Sequence, residues 1–272
     1  HMLTARPGRF HEALGYQALI KDDVVRNGLC LFQCQLQRFR IEPVFFHQHA
    51  RGERLRRIAG QDGHAGLRFM PGQFAWITIE RSPFSLRQHP FSFASSAEVT
   101  DRLEFTIGEA GDFTSTIGQF KPGEVVYIDG PHGTFSIDRY DGPGYVFIAG
   151  GIGSPPVMSN LRTMADRGNR TPAWLFYGNP TPEMITYAEE LIELEQTLDL
   201  QVIHVLEEPP DNWHGETGFI SGEILDKYLP DNRNELIYFI CGPVPMVEAM
   251  LAALQKIDVP LHNVHTEQYD MV

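Results

Sequence analysis

At 272 residues the chain is long enough for two domains, each with its own buried core. Its hydrophobic fraction of 42% and charged fraction of 21% are those of a globular protein, and no apolar run approaches the ~18 residues of a membrane-spanning helix. Basic and acidic residues number 16 and 16 over residues 1–143 but 6 and 19 over residues 144–272; the net charge of −13 therefore sits in the second half, which argues for two distinct units and against a nucleic-acid partner.

The three cysteines match neither zinc nor iron–sulfur spacing, so no metal centre or disulfide framework is expected. The opening His1-Met2 has the form of a cloning remnant, and the residues after it lack the basic start and apolar block of a secretory signal. The expectation is a cytoplasmic protein that meets a membrane only through a partner or a further domain.

Residues 3–66 contain a strand-rich run, "LCLFQCQLQRFRIEPVFF", and a basic segment, "ARGERLRR". The run is expected to supply the first strands of a β-barrel, without a definable register. The arginines are read as a solvated loop in preference to an anion site. From 67 to 140, the short runs "LRFMPGQFAWITI", "HPFSFASS", "RLEFTIGEA", "GEVVYIDGP" and "GTFSI" are separated by Gly/Pro turns. Closely spaced strands of this kind predict a small antiparallel barrel.

After the break "RYDGPG" the pattern changes. Over residues 144–272, strand-like runs "YVFIAGG", "PAWLFYGN", "LQVIHVLEE", "LIYFICGP" and "NVHTEQY" alternate with helical stretches near Pro155–Arg167, Pro182–Thr197, Ser221–Tyr228 and Pro245–Ile257. Parallel strands need crossover helices, so the second unit is predicted to be a doubly wound α/β domain.

The first α/β strand runs into "GGIGSPPVMSNL", where Gly150, Gly151 and Gly153 permit a tight turn into a helix. Such a turn brings backbone N–H groups close to a pyrophosphate at the positive end of the helix dipole. The third glycine of GxGxxG is missing, and the turn alone reads equally well as a connection with no ligand. Its position at the C-terminal end of a parallel strand favours a ligand. "FICGPVPM" would flank the same crevice if the strand order reverses there.

With "HPFSFASS", "FTIGEAGDFTSTI", "GPHGTFSID", "FIAGGIGSPP", "FICGPVPM" and "TEQYD" in one order, residues 64–272 resemble the ferredoxin-NADP reductase superfamily, and within it the dehydrogenase half of NADPH oxidases and ferric reductases. The resemblance implies an FAD-binding β-barrel followed by an NAD(P)-binding α/β domain. It further implies hydride transfer from NADH or NADPH to the flavin and single-electron delivery to an acceptor: a haem-bearing membrane domain, a redox protein, ferric ion or oxygen. The rival reading is a nucleotide-binding sensor or assembly subunit with degenerate catalysis, suggested by the Ser154-Pro155-Pro156 departure.

The same resemblance assigns site residues. His89, Pro90, Phe91 and Ser92 would lie along the flavin, with Phe91 near the isoalloxazine and Ser92 near its N5; Phe93 is read as core. Histidine at 89 leaves open which cation faces the FAD diphosphate, and Gly111, Thr114 and Ser115 are assigned to it, with Arg87 as a helper. Cys241, followed by Gly242 and Pro243, would stand beside the nicotinamide C4, against the bland reading of Cys241 as a small core residue. Glu267 would be a polar neighbour of the reacting atoms and Tyr269 a lid on the flavin face. Pro180, Ala188 and the acidic second half favour NADH over NADPH, unless Arg162, Arg167 or Arg170 folds in.

Overall fold

The computed structural model describes residues 36–41, 54–60, 67–79, 88–100, 102–108, 111–119 and 125–269; of residues 36–41, 54–60, 118, 125 and 269 it describes the backbone alone. Six antiparallel strands form the first sheet: β1 (Leu36–Ile41), β2 (Arg54–Gly60), β3 (Phe74–Thr78), β4 (His89–Ser92), β5 (Arg102–Ile107) and β6 (Val125–His132), in the order β4-β3-β6-β1-β2-β5. The two ends of that order meet. Phe93, next after β4, bridges Phe105 of β5, and the Ala94 N–H donates to the Glu104 carbonyl at 2.7 Å. Closure removes the sheet's edges and encloses a core that includes Leu67, Phe69, Ile77, Phe93, Phe105, Ile117 and Ile128. Phe93 is fully buried and stacks on Phe69 at 4.3 Å between ring centroids.

Two runs expected as strands differ. Residues 67–73 form an irregular lead-in that turns at Gly72, whose φ of +83° is left-handed. "GTFSI" is not a strand: β6 ends at His132, and Gly133 (φ +92°) turns the chain away. Its alternation is real but serves another core, because Phe135 and Ile137 insert into the cluster of the second unit.

The second sheet is parallel throughout. It comprises β7 (Tyr145–Gly150), β8 (Ala173–Asn179), β9 (Leu200–Leu206), β10 (Glu216–Thr217), β11 (Ile237–Pro243) and β12 (Val264–Tyr269), in the order β10-β9-β8-β7-β11-β12. Helices α1 (Ser154–Asp166) and α2 (Ala188–Thr197) place Val157, Leu161, Leu191 and Leu194 on one face. Helices α3 (Gly222–Tyr228) and α4 (Val244–Lys256) place Leu225, Val247 and Leu254 on the other. With helices on both sides, central β7 is buried at every position, which is why it reads as a continuous apolar run. The long second helix predicted from Pro182 begins instead at Ala188. Pro182–Met184 form a 3-10 turn, and Tyr187 sits at φ +66°, a conformation that no α-helix interior accepts.

From β7 the chain lays down β8, β9 and β10 on one side and then crosses to β11 on the other, so the strand order reverses between β7 and β11. Open α/β sheets bind ligands outside the strand C-termini at such a point. Among the described residues, no helix is long and apolar enough to cross a membrane, and no group of three or more His, Cys, Asp or Glu side chains could hold a metal ion.

Candidate active site

On the barrel side, β4 presents His89, Phe91 and Ser92 half-buried and Pro90 exposed. The His89 ring stacks on Phe113 at 3.8 Å between centroids and 11° between planes, and Phe91 lies 6.3 Å from the same ring. Burial holds His89 below the usual histidine value, so at neutral pH it contributes a ring and not a cation. The turn that carries Phe113 closes on itself. Thr114 Oγ1 accepts the Gly111 N–H at 2.8 Å, and the Ser115 hydroxyl donates to the Asp112 carbonyl at 2.9 Å. Both hydroxyls cap the turn, and would have to rotate to meet a diphosphate. Arg87 lies outside the described residues.

On the α/β side the glycines do different work. Gly151 adopts φ +49° with open space where a side chain would project. Gly153 packs so tightly on β11 that a Cβ would lie 2.7 Å from the Cys241 carbonyl carbon. A Cβ at Gly150 would meet Met246 Sδ at 2.6 Å, and the same thioether covers Gly242. Gly150 and Gly242 thus admit Met246 into the crevice, while Gly151 leaves its mouth open. Tyr177, buried on β8, donates its hydroxyl to the Gly151 carbonyl at 3.2 Å and holds the turn in place. The Ser154 N–H also donates to Gly151 O, and Pro155 and Pro156 carry no N–H. The Ser154 hydroxyl is buried without a hydrogen-bond partner at this helix start, an orphan that a phosphate or ribose oxygen would satisfy. The crevice therefore fits a dinucleotide, although its helix terminus offers fewer N–H donors than the fold allows.

The two sides converge on Gly133. Ser92 of β4 is paired with Phe74 of β3, and Cys241 of β11 with Glu267 of β12. A Cβ built at Gly133 would lie 3.0 Å from Glu267 Oε1 and 3.1 Å from Phe74 Cδ1. One glycine of the segment that joins the two sheets thus has the neighbour of Ser92 on one side and the neighbour of Cys241 on the other. Burial raises the Glu267 carboxyl to about 8. Burial, reinforced by the nearby Glu267, pushes the Cys241 thiol well above the usual range. At neutral pH the pair is a protonated acid beside a protonated thiol, and neither is a nucleophile. Pro243 pairs with the backbone of Tyr269, whose side chain lies outside the described residues.

Two of the three arginines considered for a nucleotide phosphate are held elsewhere. Arg162 grips Glu190 and Glu104, and Arg167 grips Glu98 and Asp138; Arg170 is exposed on the loop after α1. The ends of β8 and β9 are joined by Glu207 and Glu208, whose N–H groups donate to the carbonyls of Asn179 and Pro180. Acidic residues thus border Pro180. Sequence reasoning missed Phe113, Tyr177 and Gly133, because an aromatic beside a turn or inside a strand carries the same signal as a core residue.

Two family models match the chain: an FAD-binding domain over residues 56–136 and an oxidoreductase NAD-binding domain over residues 147–251. In its domains and their order, and in fold, the chain matches the ferredoxin-NADP reductase superfamily. The reductase component of propane 2-monooxygenase from Mycolicibacterium goodii is 30% identical over 210 residues, which span 74% of this chain and 59% of that protein. NADH-cytochrome b5 reductase 1 of Debaryomyces hansenii is 34% identical over 148 residues, 53% of this chain and 52% of the relative. The chain thus spans between half and three-fifths of these relatives. In fold it is similar to the FAD/NAD-binding domain of nitric oxide dioxygenase from Vibrio cholerae, with a TM-score of 0.74 at 18% identity over 86% of this chain and 98% of that one. The cytochrome b5 reductase domain of Ulva prolifera nitrate reductase gives 0.75 at 18% identity, over 86% and 97%. These relatives support the superfamily; the narrower oxidase and ferric-reductase likeness goes beyond them.

Proposed function

We propose that the chain is a flavin-dependent NADH dehydrogenase module that feeds electrons to a separate redox protein. The observation that carries this reading is the convergence on Gly133 of the Ser92 shelf of an FAD-binding domain and the Cys241–Glu267 end of an NAD-binding domain. Bound FAD supplies the conversion of a two-electron hydride donor into a one-electron source.

This chain's residues provide placement. Ser92 offers a small hydroxyl able to donate or accept at the flavin edge without blocking the approach of the nicotinamide. Phe91, His89 and Phe113 give an aromatic wall. The turn at Gly111, Thr114 and Ser115 serves the FAD diphosphate, while Gly150, Gly151 and Gly153 serve that of the nucleotide, with Gly242 and Pro243 on the facing strand. Cys241 keeps the floor of the crevice small, so that two ring systems can approach within reacting distance. Glu267 holds a proton on its carboxyl at neutral pH, which leaves the crevice without a fixed negative charge at its deepest point. Tyr269 is assigned the flavin face that the nicotinamide must occupy. The barrel unit extends over residues 67–140, with first strands from residues 3–66, and the nucleotide unit over 144–272.

NADH is favoured over NADPH because Glu207 and Glu208 border Pro180 and because Arg162 and Arg167 are committed to carboxylates. A dianionic 2′-phosphate would meet these carboxylates at the end of β8. The relatives named as reductase components and cytochrome b5 reductases support a protein acceptor. Anaerobic addition of NADH to the flavin-loaded protein tests the reading. The flavin absorbance is expected to bleach within seconds; a spectrum unchanged by both NADH and NADPH would instead favour the nucleotide-sensor alternative.

A further inference from the structure

Helix α1 begins at the glycine-rich turn, and the side it turns to the barrel is polar and fully buried. Ser159, Asn160 and Thr163 are all 0% exposed. The Ser159 hydroxyl accepts the Gly72 N–H at 3.1 Å and donates to the Ser95 carbonyl at 2.8 Å. Thr163 Oγ1 accepts the Ala97 N–H at 2.9 Å, and Asn160 Oδ1 accepts the Ile137 N–H at 3.0 Å. Four backbone groups outside the α/β sheet thus have their partners on one face of one helix.

Arg162 completes the seam. Its Nε and Nη2 donate to the two oxygens of Glu190 on α2 at 2.5 and 2.6 Å. Its Nη1 donates to the Ala94 carbonyl at 2.6 Å and to Glu104 of β5 at 3.2 Å. The guanidinium also stands 5.2 Å from the centre of the Tyr187 ring, whose hydroxyl is hydrogen-bonded to Thr106 of β5. One planar fork therefore joins the first crossover helix, the second crossover helix and the barrel.

An apolar interface tolerates sliding, whereas a satisfied polar network accepts one register. Buried ion pairs add little net stability, and their best-attested use is to specify one arrangement among several. Arg162 lies eight residues beyond Ser154, or about 12 Å along the helix from the turn, and its guanidinium is committed to Glu190, Glu104 and the Ala94 carbonyl. A shift of α1 against the barrel would nevertheless carry the turn, and the dinucleotide on it, relative to Ser92.

We propose that Arg162 is a positioning residue: it fixes α1 on the barrel so that the nucleotide crevice and the Ser92 shelf stay in register for hydride transfer. The reaction itself, which moves a proton and an electron pair as the nicotinamide C4–H bond breaks and a flavin N5–H bond forms, rests on the function proposed above.

The test compares wild type with Arg162→Met, Arg162→Lys and Glu190→Gln in the full chain. Hydrogen exchange at the Gly72, Ala97 and Ile137 amides, measured without nucleotide, reads the seam directly and does not depend on activity. Stopped-flow reduction of the flavin-loaded protein by NADH gives the limiting rate and the NADH affinity separately. Arg162→Met is expected to speed exchange at all three amides and to slow the limiting rate about 10- to 100-fold, with the NADH dissociation constant little changed. Arg162→Lys, which restores charge but not the fork, should fall between. If Arg162→Met does not fold, Arg162→Lys and Glu190→Gln carry the same comparison. Unchanged exchange, faster exchange at an unchanged hydride rate, or parallel loss of rate and affinity would each overturn the latch. A wild-type flavin that neither nucleotide reduces would overturn the proposed function instead, with the exchange result standing by itself.

Discussion

Glu267→Gln separates the buried acid from everything else that titrates. The carboxyl rises from the ordinary 4.5 to about 8 through burial, so the folded chain holds a proton that the unfolded chain has released over that interval. Stability contributed by this group is complete below pH 4.5 and is lost as pH rises through about 8, because ionisation in the fold is opposed. At about 1.4 kcal/mol per pH unit, the full interval corresponds to roughly 5 kcal/mol. Glu267 is half-buried by accessible surface, and solvent access lowers the figure to about 2–3 kcal/mol. Glutamine keeps the shape and removes the ionisation. Urea unfolding followed by tryptophan fluorescence at pH 5, 7 and 9 is expected to show the variant gaining on wild type by that amount between the lowest and highest pH. The difference between the two proteins cancels contributions from the buried histidines, which act at lower pH. Parallel pH profiles would mean that the carboxyl is solvated, and the protonated-acid description of the crevice would fall.

Three further outcomes are expected. Gly153→Ala drives a Cβ into the Cys241–Gly242 backbone, which cannot rotate away; the turn must lift from β11, at about 1–3 kcal/mol of stability. NADH affinity should fall with it, and unchanged affinity would remove the turn from the nucleotide site. Pro155→Thr returns one N–H and one hydroxyl to the start of α1 and should tighten NADH binding by about 1 kcal/mol, roughly fivefold; an equal or weaker dissociation constant in a fluorescence titration refutes this. Steady-state kinetics should give a KM for NADPH well above that for NADH, and the reverse order would show that a cation reaches the 2′-phosphate despite Glu207 and Glu208.

Much was legible where a residue's reason is local. The period-two runs and the βαβ rhythm are written in short windows, because a strand shows its faces every second residue and a crossover helix must lie between parallel strands. The 150–154 turn, the β11 run through Cys241 and the core position of Phe93 belong to that class. "GTFSI" marks the boundary: its alternation foretold two buried side chains, but a pattern of burial does not name the core that receives them. The helix expected from Pro182 failed for a similar reason, since nothing local announces the left-handed Tyr187.

The sequence by itself determined the two kinds of sheet, their order along the chain and the identity of the residues at the strand ends. Tertiary structure alone decided that Gly133 brings the neighbours of Ser92 and Cys241 together, that burial raises the Glu267 carboxyl, and that Arg162 pairs with Glu104 and Glu190. Such outcomes depend on desolvation and on partners distant in the chain, such as Ala94, 68 residues from Arg162, and neither quantity is encoded in any window of adjacent residues.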